Sequence, residues 1–267
     1  MMRVLILAAM PQEVGPLLGP LGRPHIVARS PYPTWVGRVG HTECHVVQTG
    51  IGREHAGRAA AHVLDSTPVD LVISTGFAGS LCPGLDLGRV VWARNVATLV
   101  GEDGDGAGDG DGAMTGSRDR VPPPFPAFCR THAVQPARFL TVDGVHAKAG
   151  LIERYADTPT VLDMESAAVA AAARVRRVPF VGLRAISDTW EQEIDWLPAS
   201  VLDESGTLRA GRVAGAVFRR PRVLVSLVQL QRGARIAGRS LAATLSTLLR
   251  LPEEELRETA ARLQPEP

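Results

Sequence analysis

Up to about residue 190 the chain is a succession of short apolar runs, each ended by glycine, proline or charge. They lie at Val4–Ala9, Trp35–Val39, His45–Thr49, Leu71–Thr75, Val90–Ala93, Phe139–Val142, Thr160–Leu162 and Phe180–Ile186. Runs this short, rich in valine, isoleucine and leucine, predict β-strands. Helical segments fit between them at Glu13–Leu18, Glu54–Leu64 and Met164–Val175. Strands alternating with helices predict an α/β domain built on a largely parallel or mixed sheet.

Two segments break this pattern. Gly101–Pro126 is rich in glycine and aspartate and then in proline, so it cannot bury a core and predicts a disordered surface insertion. Its Asp-x-Asp-Gly pattern lacks the bidentate glutamate of an EF-hand calcium loop. From Gly206 to Pro252 no acidic residue occurs, while nine arginines alternate with leucine and valine. That composition predicts two basic amphipathic helices. One reading packs them on the α/β domain with the arginines in solvent; the other lays them on anionic lipid or against an apolar substrate. The domain boundaries expected are 1–205, containing the insertion 101–126, and a tail of 206–267.

Composition narrows the classes. With 45% hydrophobic and 21% charged residues the 267-residue chain is an ordinary globular one, and a net charge of +1 gives no global field for nucleic acid. Cys44, Cys82 and Cys129 are far apart and form no Cys-x-x-Cys pair, which points to a reducing cytoplasm and to cysteines acting as small buried hydrophobes. The seven histidines show no ligand spacing, so no metal is expected. The amino-terminal run is too short for a signal peptide and meets Glu13 at once, so it reads as a first strand; no uncharged run is long enough to span a membrane.

Unusual residues collect at four strand ends. The first strand runs into Met10-Pro11-Gln12-Glu13, where Pro11 suits an early helical position and Glu13 the helix amino end. Gly50 and Gly52 lead into a helix, and Gly76 and Gly79 permit close backbone approach or mark a tight turn. The fourth is the stretch from Val161 to Asp188. Ligands of open α/β sheets settle at the carboxyl ends of strands. If the strands before and after the helix Met164–Val175 are parallel, Glu165 and Asp188 share one rim.

In this order and spacing, Met10-x-x-Glu13, Gly50-Ile-Gly52, Thr75-Gly-Phe-Ala-Gly79, Met164-Glu165 and Arg184-x-x-Ser187-Asp188 resemble the nucleoside phosphorylase/nucleosidase superfamily over residues 3 to 190. The resemblance implies an α/β, nucleoside phosphorylase-like three-layer fold with a central mixed sheet and a C-terminal helical extension. It implies an enzyme, without cofactor or metal, that breaks a ribose N-glycosidic bond through an oxocarbenium-like transition state. Glu165, anionic, would bind ribose hydroxyls and stabilise the ribosyl cation. Met164 would pack under the sugar, and Asp188 would be the general acid on purine N7, protonated when substrate is bound. Met10, Phe77, Ala78, Gly79, Val145, Arg184 and Ser187 fall at substrate-binding positions. Trp190 and Trp196 either line the mouth of the site or pack the tail. Relatives assemble as dimers or hexamers, so a homo-oligomer is implied.

An aspartate at position 188 can donate to N7 while accepting from a 6-amino group, which favours adenine. Where the phosphorylase branch has Gly-Asp-Pro-x-Arg, this chain has Met10-Pro11-Gln12-Glu13, and Ser74 stands where a further arginine is found. Glu13 would repel phosphate and orient a water, which favours hydrolysis, with Arg53 left as the candidate anion contact. After Asp188, the Leu-Pro, Asp-Glu-Ser-Gly and Arg-Arg-Pro landmarks and the leucine-arginine helix resemble the hopanoid-associated branch, which implies adenosylhopane as substrate and peripheral contact with the inner face of the membrane. The competing readings are a methylthioadenosine/adenosylhomocysteine nucleosidase, a phosphate-dependent purine nucleoside phosphorylase, and a non-catalytic nucleoside-binding protein.

Overall fold

The computed structural model describes residues 1–100, 113–116, 122–144, 148–192 and 222–265. Its strands are β1 (Met2–Ala8), β2 (His25–Ala28), β3 (Thr34–Val39), β4 (Thr42–Gln48), β5 (Leu71–Ser80), β6 (Val90–Val100), β7 (Ala113–Gly116), β8 (Gln135–Thr141), β9 (Thr160–Asp163) and β10 (Phe180–Asp188). The helices are α1 (Pro11–Leu18), α2 (Arg53–Ser66), α3 (Pro126–Thr131), α4 (Ala149–Tyr155), α5 (Ser166–Val175), α6 (Arg222–Leu248) and α7 (Glu253–Arg262). All ten strands form one mixed sheet, in the order β10-β6-β8-β9-β5-β1-β4-β3-β2 with β7 on β6.

The sheet closes on itself. β10 also pairs with β5, so β5, β9, β8, β6 and β10 make a ring. β5 is the seam, and it runs well past the expected end at Thr75. Gly76 and Gly79 lie within the strand and are not a turn, because β10 continues to pair beside them: Ala185 is opposite Phe77, Ile186 opposite Ala78 and Asp188 opposite Gly79. The irregularity at Ser187 lets Asp188 reach Gly79.

The strands flanking α5 also differ from expectation. β9 is antiparallel to β5 while β10 is parallel to it, so β9 and β10 run in opposite directions. Glu165 and Asp188 therefore do not meet as the ends of two parallel strands. The ends of β9 and β10 come together because both register on the same residue, Leu162 and Asp188 each facing Gly79 from one side of β5.

The predicted insertion contains a four-residue strand, β7, and at its end Phe125 is fully buried with α3 beginning at Pro126. Among the described residues of the tail there is one basic helix, and residues 206–221 of the expected pair lie outside them. α6 runs unbroken for 27 residues, and α7 starts only after Pro252, with Glu253, Glu254 and Glu255 in its first turn. α6 packs on α1, β5 and β10, and Ala237, Leu241, Leu245 and Leu248 join the cluster formed by Met2, Val4, Ile6 and Leu183. Arg232, Arg235 and Arg239 face outward.

One glycine, Gly233, lets α6 lie so close, and a second, Gly238, lies where a methyl group would make ordinary contacts. A Cβ on Gly233 would sit 2.0 Å from the Ser187 carbonyl oxygen, and one on Gly238 would reach Phe77 and the Gln12 carbonyl. The three cysteines are buried and free, and burial pushes the thiols of Cys44 and Cys129 up to about 12 and about 11.

Leu241 is fully buried between the helix and the sheet. Leu241→Ala should cost about 2–5 kcal/mol in one cooperative urea transition. A separate early transition confined to the tail, or no loss, would show that the helix does not share the core.

Candidate active site

Glu13, in the first turn of α1, is almost fully buried, and its carboxylate is held by backbone alone. Oε2 accepts from the amides of Ala9 and Met10 at 2.8 and 2.9 Å, and Oε1 from that of Phe77 at 2.8 Å. Three of its roughly four acceptor positions are thus spent, and one remains. A Cβ on Gly76 would stand 2.6 Å from Oε1, so the β5 glycine is what allows a carboxylate at this depth. Burial raises the pKa of Glu13, against the opposing pull of the Phe77 and Met10 amides and of Arg184.

Glu165 immediately precedes α5 but does not cap it with its side chain. Asp163 does that work: its Oδ2 accepts from the Ser166 amide at 3.2 Å, and its Oδ1 accepts from Thr141 Oγ1 at 2.6 Å. Thr141 Oγ1 in turn accepts from the Ala167 amide at 3.0 Å. Glu165 is left to face away from its own helix, where Oε1 accepts from the Gly52 amide at 2.9 Å. Gly52 holds φ at +95°, a backbone state that side chains resist, so glycine is required there. Burial pushes the pKa of Glu165 up to about 7; Arg184 lowers it, and Asp163 and Glu13 raise it further. Burial therefore disfavours the fully anionic form of Glu165 at neutral pH.

Beneath these carboxylates lies Arg184, 1% exposed. Its guanidinium pairs with Asp163 Oδ2 at 2.7 Å, donates to Ser74 Oγ at 3.2 Å and stands 3.9 Å from Glu165 Oε2. This buried side chain supports the acids from below. On the far side, Asp188 Oδ1 accepts from Ser187 Oγ at 2.7 Å, and Oδ2 lies 2.5 Å from Lys148 Nζ. Ala78 is buried, its carbonyl 3.4 Å from Ser187 Oγ, and Phe77 is half-buried against the α6 side of the core. Met10 and Met164 are partly exposed beside Glu13 and Glu165. Val145, His146 and Trp196 lie outside the described residues, and Trp190 is partly exposed.

Arg53 does not present a free cation. Its guanidinium is paired with Asp143, with Nη2 donating to Oδ2 at 2.6 Å. An open cavity of about 670 Å³ adjoins that pair, lined also by Gly52, Thr98 and Ala167. Asp163, Thr141 and Lys148 were not singled out from the sequence, and Ser74 only as the residue standing where the phosphorylase branch has a further arginine. Asp163 had a local signal, an aspartate three residues before the first helical serine, whereas nothing in the sequence marks Lys148.

The family model described as the phosphorylase superfamily matches residues 3–213. A 5′-methylthioadenosine/S-adenosylhomocysteine nucleosidase of Glaesserella parasuis is 30% identical over 211 residues, covering 72% of this chain and 88% of its own. In fold, the chain resembles the S-adenosylhomocysteine nucleosidase of Streptococcus pyogenes, solved with 5-methylthiotubericidin, at a TM-score of 0.69 and 24% identity over 94% of this chain and 98% of that one. The futalosine hydrolase of Helicobacter pylori, solved as a mutant, gives a TM-score of 0.62 at 18% identity over 92% and 100%.

A carboxyl whose folded-state pKa lies above its ordinary one favours folding while protonated. Its contribution is complete below about 4.5 and is lost as pH rises through about 7. For Glu165 the loss is about 3 kcal/mol. Glu165→Gln keeps an acceptor for Gly52 and removes the titration, so urea unfolding should match the parent at pH 4.5 and exceed it by about 1–3 kcal/mol at pH 8. Equal stability at both pH values would disprove the burial cost.

Proposed function

The chain belongs to the phosphorylase superfamily, and on that premise we propose that it hydrolyses the N-glycosidic bond of an adenine nucleoside and releases adenine. What carries this reading is the convergence of Glu13, Glu165 and Asp188, drawn from α1, the start of α5 and β10, around the single β5 segment Gly76–Gly79. Glu165 meets the positive charge that develops on the ribose, Asp188 serves the leaving base, and Glu13 uses its remaining acceptor position to orient and deprotonate water. Met164 and Met10 line the sugar, and Phe77, Ala78 and Gly79 the base. The residues of the Arg184–Asp163 pair do not touch substrate in this reading; they hold Glu165 in place.

Water is favoured over phosphate by the charge balance. Each cation that the described residues bring to the site is already paired with a carboxylate: Arg184 with Asp163, Arg53 with Asp143, and Lys148 with Asp188. A phosphate dianion would add charge beside Glu13 with no cation released to meet it.

For the 5′ group the reading is adenosylhopane. It rests on the resemblance of the tail to the hopanoid-associated branch and on the position of α6, whose Gly233 and Gly238 touch Ser187 and Phe77. A helix that borders the site on one face and shows Arg232, Arg235 and Arg239 on another suits a substrate drawn from a bilayer with anionic headgroups. The enzyme then works in the cytoplasm at the inner face of the membrane, as a homo-oligomer. The second reading, a methylthioadenosine/adenosylhomocysteine nucleosidase, is favoured by the activity that the Glaesserella relative's name gives.

One panel tests these points: adenosylhopane in detergent micelles, methylthioadenosine and adenosine, each with and without phosphate, scored for free adenine. The expected outcome is adenine release without phosphate, with kcat/KM for adenosylhopane at least about tenfold above methylthioadenosine, and loss of about 100-fold or more in Glu13→Gln and Glu165→Ala. Turnover that requires phosphate refutes hydrolysis, and a preference for methylthioadenosine refutes the hopanoid assignment.

A further inference from the structure

Asp188 has a buried cation against it that the reading so far leaves without a role. Lys148, just before α4, places Nζ 2.5 Å from Asp188 Oδ2 and donates to the Thr189 carbonyl oxygen at 2.8 Å. The two side chains are 2% and 8% exposed. A buried ammonium keeps its charge only beside such a partner. The ammonium is the neighbour of Oδ2, while Oδ1 is engaged by Ser187. Gly79 makes the room: a Cβ there would lie 2.5 Å from Oδ2 and 3.2 Å from the Lys148 Nζ.

An acid must hold a proton when the bond begins to break, and an aspartate paired with an ammonium holds none. In this pair the lysine brings its N–H groups to within 2.5 Å of the acid, and both side chains are largely buried. We propose that Lys148 is the proton store of the site, a positioning residue that passes a proton to Asp188 as Asp188 protonates the departing base. This rests on the nucleosidase reading. As the bond from the ribose carbon to the base nitrogen N9 breaks, its electron pair stays on the base. A proton passes from Lys148 to Asp188 and from Asp188 to N7, so that Asp188 ends as it began and the lysine is left as neutral amine. Water adds to the ribose carbon and gives its proton to Glu13. After products leave, Glu13 loses that proton to solvent and Lys148 regains one from it.

The other charged groups of the site are Glu13 from α1, Asp163 from β9, Glu165 before α5 and Arg184 from β10. Arg184 is committed to Asp163 and Glu165, and among the described residues none of the four is within ion-pair distance of Lys148 or Asp188.

Two variants test the role through adenine release across pH, with thermal melting as the control for folding. In Lys148→Met the aspartate must hold its own proton, and a lone carboxyl releases one at lower pH than an ammonium does, ordinarily about 3.9 against about 10.4. The alkaline limb of kcat should move down by more than about one pH unit. Lys148→Arg keeps the ion pair and the melting temperature, but a guanidinium does not give up a proton, so kcat should fall about 100-fold with KM changed less than about threefold. An alkaline limb that stays in place shows a purely structural lysine. One that moves upward shows a lysine that only biases the aspartate toward its charged form. Wild-type kcat in a folded Lys148→Arg protein also overturns the proposal, and this variant decides alone if Lys148→Met does not fold. Absence of adenine release from the wild-type chain is a different result, and it would overturn the nucleosidase reading itself.

Discussion

A single arginine in a dry place organises this molecule. Arg184 is among the largest fully buried side chains, and a guanidinium without water requires a carboxylate at contact distance. Asp163 supplies it at 2.7 Å. That demand ties β10 to the end of β9, and Asp163 also satisfies the first amide of α5. Because Asp163 does both, Glu165 is released from capping its own helix and can turn to Gly52. Removing the arginine would leave Asp163, Glu165 and Glu13 as three buried acids without compensation, so the carboxylates and their counter-charge form one unit.

Much of this was legible in the sequence, and the limits have physical reasons. The eight expected strands all exist, because alternation of apolar runs and breakers reports burial directly. β2 was missed because its apolar run, Ile26-Val27-Ala28, is only three residues long, and β7 because its neighbours have the composition of a loop. The end of β5 was misplaced because Gly76 and Gly79 are common turn residues. Here they are in the strand for a tertiary reason, the approach of Glu13 and Asp188, which no local pattern contains. The direction of β9 relative to β10 was misjudged for a similar reason. A helix between two strands suggests a parallel pair, but ring closure through β5 lets an antiparallel pair deliver both acids to one place. Glu13, Glu165 and Asp188 stood out because they belong to motifs. Lys148 did not, since a lysine at the start of a short helix is an ordinary surface residue until the fold buries it.

The tail shows a composition that reads two ways and a packing that uses only one face. Its arginines suggested charge as the theme, yet small residues set its position. Gly233 lets α6 approach β10 at a distance that a side chain would forbid, the small Ala237 and Gly238 lie beside it, and Leu241, Leu245 and Leu248 fill the space beyond. The helix is therefore part of the core on its inner side, and its basic outer face remains available. Since the same helix touches both Ser187 and Phe77, displacement of α6 by a surface or a substrate would be felt at Asp188 and at the amide that holds Glu13.

The elevated pKa of Glu165 bears on how such a site accelerates a reaction. A carboxylate that were fully anionic before substrate binds would attract any cation and would bind ground state and transition state in similar measure. Glu165 sits near 7 because burial disfavours its charge, and Asp163 and Glu13 add to the repulsion. On the proposed reading, a neutral ribose does little to relieve that strain, whereas a ribosyl cation relieves it directly. The gain in stabilisation then arises as positive charge develops, which is the condition for lowering a barrier and not merely tightening binding. Arg184 sets the balance. Closer to Glu165 than its 3.9 Å, it would hold the acid charged throughout; farther away, it would let burial favour the protonated form.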